Sequence, residues 1–262
     1  MMGEIVVALV VYERVDNHAW IRINRPEKRN AMNQQAREEL RAAMACAHEV
    51  SVVVLTGVED IFCGGIDLKE VQADAERGSE ATLADWRALN VEIREHPAVF
   101  IACVNGLALG GGVTLTGVCD LAFATDTAQF GMPEVGFGMY PNPAGPATQL
   151  SLTRKRAAWL VLTGERLTAE QAVQWGLINE AVPFCELESR VNEVAAKMAA
   201  FDDATLAQCK QALDAVPMDI SSWQEAFAHG AEVNARIRAG SDAPDAGLAR
   251  FKRGERNPGQ GR

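Results

Sequence analysis

The sequence predicts an α/β core followed by an all-helical C-terminal extension, and three observations carry that expectation. Up to Pro183, short apolar, β-rich runs alternate with segments of helical periodicity, the pattern of a sheet covered by helices. Beyond Pro183 the chain reads as helix only, so residues 1–183 form the expected core and 184–262 the extension. Glycines repeatedly join a strand end to a helix start, most densely in Val104–Thr114, which holds Gly106 and the consecutive Gly110, Gly111 and Gly112. Such a corner brings bare backbone N–H groups, and the positive end of a helix dipole, up to a ligand. Taken alone, it reads equally as a tight turn that needs positive φ.

In chain order, Ile5–Tyr12 and Ala19–Ile23 read as a hairpin around Asp16-Asn17, and Arg25–Asn30 as a charged loop. A helix is expected from Asn33 to His48, with Ala36, Leu40, Ala43, Met44 and Ala47 on one face. Ser51–Leu55 is a buried strand, and Phe62–Lys69 a second glycine corner. Val71–Thr82 reads as a surface loop or helix, and Leu83–Glu95 as a helix that His96-Pro97 ends. Strands follow at Val99–Val104 and Leu121–Ala124. Ala128–Val135 is a third corner, with Pro133 suited to a first helical position. Tyr140–Pro146 is too proline-rich to be regular, and Ala147–Leu162 reads as one helix. Thr168 and Gln171 form a capping box for a short helix that Gly176 stops. Helices Leu187–Ala200, Ala204–Ala215 and Ser222–Arg238 complete the extension, and the chain from Gly240 reads as a polar tail.

Charge and cysteine usage narrow the class. The formal net charge of −10 argues against non-specific nucleic-acid binding and against an anionic membrane surface, and obliges any anionic ligand to find local cations. The six cysteines are scattered without a C-x-x-C pair, and His18, His48, His96 and His229 lack metal-like spacing, so neither a zinc site nor a disulfide framework is expected. No apolar stretch is long enough to span a bilayer, and Ile5–Val11 has no basic lead or cleavage site; a cytoplasmic protein is expected.

Several motifs in one order then carry a family resemblance. They are Asn24-Arg25-Pro26 with Asn30-Ala31-Met32, Phe62-Cys63-Gly64-Gly65-Ile66-Asp67-Leu68-Lys69, and Val104-Asn105-Gly106 through Gly112. Cys119-Asp120, Phe130-Gly131-Met132-Pro133-Glu134, Leu162-Thr163-Gly164, Gly176-Leu177-Ile178 and Val182-Pro183 continue the series over nearly the whole chain. Together they resemble the crotonase (enoyl-CoA hydratase/isomerase) superfamily. The resemblance implies a spiral of repeated ββα units with a C-terminal helical region that packs homotrimers or hexamers. It also implies an acyl-CoA thioester as ligand, with coenzyme A part of the substrate and no tightly bound cofactor.

By position, the resemblance assigns the oxyanion-hole N–H groups to Ile66 and Gly111. It assigns contacts to coenzyme A or the acyl group to Lys28, Arg29, Ala31, Gly64, Gly65, Asp67, Leu68, Lys69, Gly110, Phe251 and Lys252. The family's hydratases use two glutamates. Here the first position is Thr114, which holds no negative charge at neutral pH, and the second is Glu134, set among Phe130, Met132, Val135 and Phe137. Glu134 is thus the expected acid–base group, with Thr114 as a hydroxyl partner. Tyr140-Pro141-Asn142-Pro143 replaces a glycine-rich stretch of relatives and puts Tyr140 and Asn142 forward as acyl contacts. Hydration and double-bond shift of an enoyl-CoA both fit one glutamate. A hydratase-lyase on an aryl-propenoyl thioester is the alternative, since such relatives also carry a small hydroxyl residue at the Thr114 position. A degenerate, non-catalytic scaffold is the remaining class, and the net charge counts against one that binds RNA.

Overall fold

A strand, a corner, a short crossing strand and a helix recur along the chain in the computed structural model, which describes residues 8–255. The long strands are β1 (Val10–Val15), β2 (His18–Ile23), β3 (Val52–Gly57), β5 (Val99–Val104) and β7 (Leu121–Thr125). With β10 (Glu180–Val182) they form one six-stranded sheet in the order β1-β2-β3-β5-β7-β10, parallel except for the β1–β2 hairpin. The short strands β4 (Ile61–Cys63), β6 (Leu107–Leu109), β8 (Gln129–Gly131) and β9 (Leu167–Thr168) form a second sheet in that order. Each of β3, β5 and β7 thus hands the chain to β4, β6 and β8 within a few residues. This is the ββα repeat of the expected spiral, although the sequence shows no internal repeat.

Two asparagines and two glycines make these corners possible. A Cβ on Gly106 would fall on the carbonyl of Asp60, and one on Gly57 on the carbonyls of Ile61 and Phe62, so the corners touch backbone to backbone. Asn105 Nδ2 donates to Glu59 O (2.7 Å), while its Oδ1 accepts from Gly57 N (3.1 Å). Asn30, fully buried, donates to Val58 O (3.1 Å) and Ile61 O (2.6 Å) and accepts from Arg25 N (2.9 Å). Both side chains thus supply the partners that a bent backbone cannot find in a ladder.

Seven α-helices among the described residues precede Pro183: α1 (Gln34–Cys46), α2 (Leu68–Glu76), α3 (Ala81–Glu95), α4 (Gly111–Val118), α5 (Ala144–Ser151), α6 (Arg154–Thr163) and α7 (Ala169–Trp175). Their buried apolar residues share one core with the inner face of the large sheet. Asn33 caps α1, and Thr168 with Gln171 forms the expected capping box of α7. The helices beyond Pro183 do two different things. In α8 (Phe184–Ala199), Leu187, Val191, Ala195 and Ala199 cover the outer face of the large sheet, against Trp20, Val52, Val54, Ile101 and Phe123. By contrast, α9 (Asp203–Asp219), α10 (Trp223–Gly240) and α11 (Ala243–Lys252) pack mainly on one another. Lys210 of α9 ties that group to the core, with Nζ 3.0 Å from the Asp120 carboxylate and 2.9 Å from Ala98 O.

The structure corrects three expectations. Residues 147–162 are not one helix: α5 begins at Ala144 and α6 at Arg154, separated by Leu152-Thr153 in extended conformation. Pro143 and Pro146 are tolerated at the start of α5, where a missing N–H leaves no intrahelical bond unmade. The polar tail contains α11, whose first N–H groups are served by Ser241 Oγ, accepting from Ala243 N at 3.1 Å. The hairpin's first strand runs to Val15 rather than Tyr12, and Asp16 turns the chain at φ 52°. Ile5–Val7 of the expected strand, and the tail after Glu255, lie outside the described residues.

Candidate active site

Two glycine corners meet beneath the start of α4. At the first, Met32 flanks Ile66 on both sides: Met32 N donates to Gly65 O (2.8 Å) and Asp67 N donates to Met32 O (3.1 Å). That pattern leaves the intervening Ile66 N–H outside the bridge. Gly65, at φ 100°, is fixed by its own N–H, which donates to Cys63 Sγ at 3.3 Å; burial pushes the Cys63 thiol up to about 12. At the second corner Gly111 is the first residue of α4, so its N–H has no intrahelical acceptor and lies at the positive end of the helix dipole. A Cβ on Gly65 would stand 3.1 Å from Gly111 N, and one on Gly111 3.2 Å from Ile66 N. The two N–H groups named from the sequence therefore lie on adjoining backbone, in contact only because neither glycine has a side chain. Behind them stands Trp86 of α3, its Cζ2 2.9 Å from the same Gly111 Cβ position.

Glu134 reaches this junction from a third element. It sits in the 3-10 turn Pro133–Phe137, which Pro133 opens and Gly138 closes in the left-handed conformation. Its Oε1 lies 2.5 Å from where a Cβ on Gly110 would be, so the carboxylate rests on Gly110, directly before the Gly111 donor. Gly110 holds φ 48° and ψ −107°, a conformation glycine adopts without a side-chain clash. Oε2 is buried without a hydrogen-bond partner among the described residues. Burial raises the Glu134 pKa above the ordinary carboxylate range, and its own backbone N–H offsets part of that. A carboxylate so raised is a stronger base than a solvated one, and is suited to taking up and returning a proton.

Thr114 lies one turn along α4, 1% exposed, with Oγ1 donating to Gly110 O at 3.4 Å. The hydroxyl proton is thus spent on the helix, and only the oxygen's lone pairs remain for a ligand.

The proposed ligand contacts divide by place. Lys28 and Arg29 are exposed on the turn Pro26–Lys28, which Gly64 N fastens to the first corner through Arg29 O (2.7 Å). Lys69 is exposed in the first turn of α2, after the half-exposed Leu68. These cations therefore flank the Gly64-Gly65-Ile66 corner. Asp67 is engaged otherwise: it caps Lys69 N (3.0 Å) and pairs with Arg25 (2.7 Å), and these contacts outweigh burial and hold its carboxyl below the usual range. Ala31 uses its carbonyl on Arg25 (3.0 Å) and its N–H on Lys28 O (3.0 Å). Tyr140 lies across Gly145, its hydroxyl accepting from Gln149 (2.7 Å), and Asn142 is exposed on the same loop. Phe251 and Lys252 are exposed on α11, which packs against α10 rather than the corners. Sequence reasoning did not find Trp86, because a buried tryptophan on an amphipathic helix carries no mark separating a core residue from a site wall.

The chain is 38% identical over 197 residues to 2,3-dehydroadipyl-CoA hydratase of Escherichia coli, covering 73% of this chain and 76% of that protein. It is 32% identical over 199 residues to hydroxycinnamoyl-CoA hydratase-lyase of Pseudomonas fluorescens, covering 71% of each. The crystal structure of an enoyl-CoA hydratase from Mycobacterium smegmatis superposes with a TM-score of 0.87 at 27% identity, over 95% of this chain and 97% of that one. The enoyl-CoA hydratase/isomerase pattern matches residues 13–252, and the chain belongs to that family, with the crotonase fold.

Proposed function

We propose that the protein adds water to the double bond of a 2-enoyl coenzyme A thioester, with Glu134 as the only side-chain acid–base group. The observation that carries this reading is the Glu134 carboxylate resting on Gly110 with its buried Oε2 unpartnered among the described residues, beside the paired Ile66 and Gly111 N–H groups. Coenzyme A enters as part of the substrate. The thioester oxygen accepts from both N–H groups. Water oxygen bonds to C3 while its proton passes to Glu134, and the C2–C3 π electrons move towards the thioester oxygen as an enolate. Glu134 then returns the proton to C2. Preorganised N–H donors act where negative charge develops, and losing one typically costs about 2.7–4 kcal/mol of barrier. In this reading Thr114 Oγ1 accepts from the water, and Lys28, Arg29 and Lys69 supply the cations that phosphates need on a chain of net charge −10. Hydratase names among the relatives support the choice of reaction.

The hydroxyl at Thr114, together with the likeness to a hydratase-lyase, favours one further reading: hydration followed by cleavage of the C2–C3 bond. A panel of 2-enoyl and 3-enoyl thioesters in heavy-oxygen water, read by mass, separates the outcomes. Label in a 3-hydroxyacyl product supports hydration. Double-bond movement without label indicates isomerisation, and release of acetyl-CoA with an aldehyde indicates cleavage. No turnover and no calorimetric binding of acetoacetyl-CoA at millimolar concentration would remove the acyl-CoA reading.

A further inference from the structure

The wall behind the two N–H groups holds a polar pair that the proposed reaction does not use. Trp86 is 1% exposed and Asn90 4% exposed, one turn apart on α3. Trp86 Nε1 and Asn90 Oδ1 are both buried without a partner among the described residues, whereas most buried polar atoms are hydrogen-bonded. The orientation of each is fixed. Asn90 Nδ2 donates to Trp86 O at 2.8 Å, which leaves Oδ1 to accept. Trp86 Cζ2 lies 2.9 Å from the Cβ position of Gly111, and in an indole the Nε1–H and Cζ2–H share one edge. The unpartnered donor is therefore on the same ring edge as the atom nearest Gly111. Residues four apart lie on one helix face, so the unpartnered acceptor shares the Trp86 face of α3.

From this we infer that Trp86 and Asn90 determine specificity for an acyl group carrying a hydroxyl beyond C3, in addition to the one that hydration creates, with Trp86 Nε1–H donating to that oxygen and Asn90 Oδ1 accepting its proton. A hydroxyl is the simplest group that serves a donor and an acceptor together. A plain hydrocarbon chain would leave both buried and unpaired, and sites built on buried polar groups discriminate against ligands that lack the matching one. The inference rests on the acyl-CoA reading above and adds the chemistry of the acyl group.

Calorimetric titration of the full chain with pentanoyl-CoA, 4-hydroxypentanoyl-CoA and 5-hydroxypentanoyl-CoA, none of which the proposed hydration consumes, tests it. At least one hydroxy thioester is expected to bind roughly tenfold more tightly than pentanoyl-CoA. That ratio should collapse to about one in Trp86→Phe, which keeps a ring and drops the N–H, and in Asn90→Leu. In protein carrying nitrogen-15 tryptophan, the indole proton missing from Trp86→Phe should move downfield with the preferred hydroxy thioester and hold its position with pentanoyl-CoA. Equal binding of all three thioesters, or a preference that survives both substitutions, overturns the inference while leaving the acyl-CoA reading intact. If Trp86→Phe does not fold, the wild-type ratio and Asn90→Leu decide. Failure of all three to bind defeats the acyl-CoA reading, and this inference with it.

Discussion

At Glu134 one cause, burial beside Gly110, acts on both catalysis and stability. A raised carboxyl pKa means that the folded state holds the proton more tightly than the unfolded chain does. Its stabilising contribution is complete below the unfolded value, about 4.3, and is lost as pH rises through the folded value. Glu134→Gln keeps the shape and removes the titration. Its melting temperature should therefore match wild type near pH 4, rise above it as pH passes through the folded value, and keep a constant margin beyond that, measured by thermal scans from about pH 4 to pH 8. Turnover should fall by about 10²- to 10⁴-fold with little change in ligand affinity, while wild-type turnover declines as acidification protonates the base. Full activity in Glu134→Gln would refute the mechanism. Thr114→Ala removes an oxygen whose own proton goes to Gly110 O. Steady-state rates should show water addition reduced roughly tenfold, the value of one hydrogen bond, and any double-bond shift unaffected.

The corners are the elements on which the site depends, and they can be tested away from the chemistry. Asn105 satisfies Gly57 N and Glu59 O at the turn from β3 to β4, at the opposite end of β6 from Gly110, on which Glu134 rests. Asn105→Ala leaves a buried N–H and a carbonyl without their partner, so denaturant unfolding should show a loss of about 2–3 kcal/mol. Because β4 leads to Gly65 and β6 to Gly110, turnover should drop as well, even though Asn105 touches no ligand group. A variant of unchanged stability would mean that the asparagine merely fills space.

On the scale of the molecule, the helices beyond α8 expose large apolar side chains: Trp223 at 79%, Phe227 at 71% and Leu213 at 71%. Apolar surface so concentrated marks an association surface. We propose that these helices pack copies of the chain into a trimer or a pair of trimers, bringing Phe251 and Lys252 to a neighbour's site rather than their own. Sedimentation at micromolar concentration should give three or six copies, and Trp223→Asp with Phe227→Asp should lower that number. A stable wild-type monomer would contradict both the assembly and the role of Phe251.

Much of this was written in the sequence, because it depends on residues near one another along the chain. The capping box at Thr168 with Gln171 and the strand Val99–Val104 were legible from local spacing alone. Ile66, Gly111 and Glu134 were singled out differently, through the resemblance that the order of motifs carries. Other features depend on contacts between distant segments. Three-residue strands such as β6 are too short to show a period, so they read as part of their glycine corners. The split of residues 147–162 followed from where Leu152 and Thr153 leave helical conformation, which apolar periodicity does not register. Only the tertiary structure put Glu134 on Gly110 and set Trp86 Cζ2 against Gly111. Burial and partnership are properties of the space between elements, and one chain read in order contains that space only after it has folded.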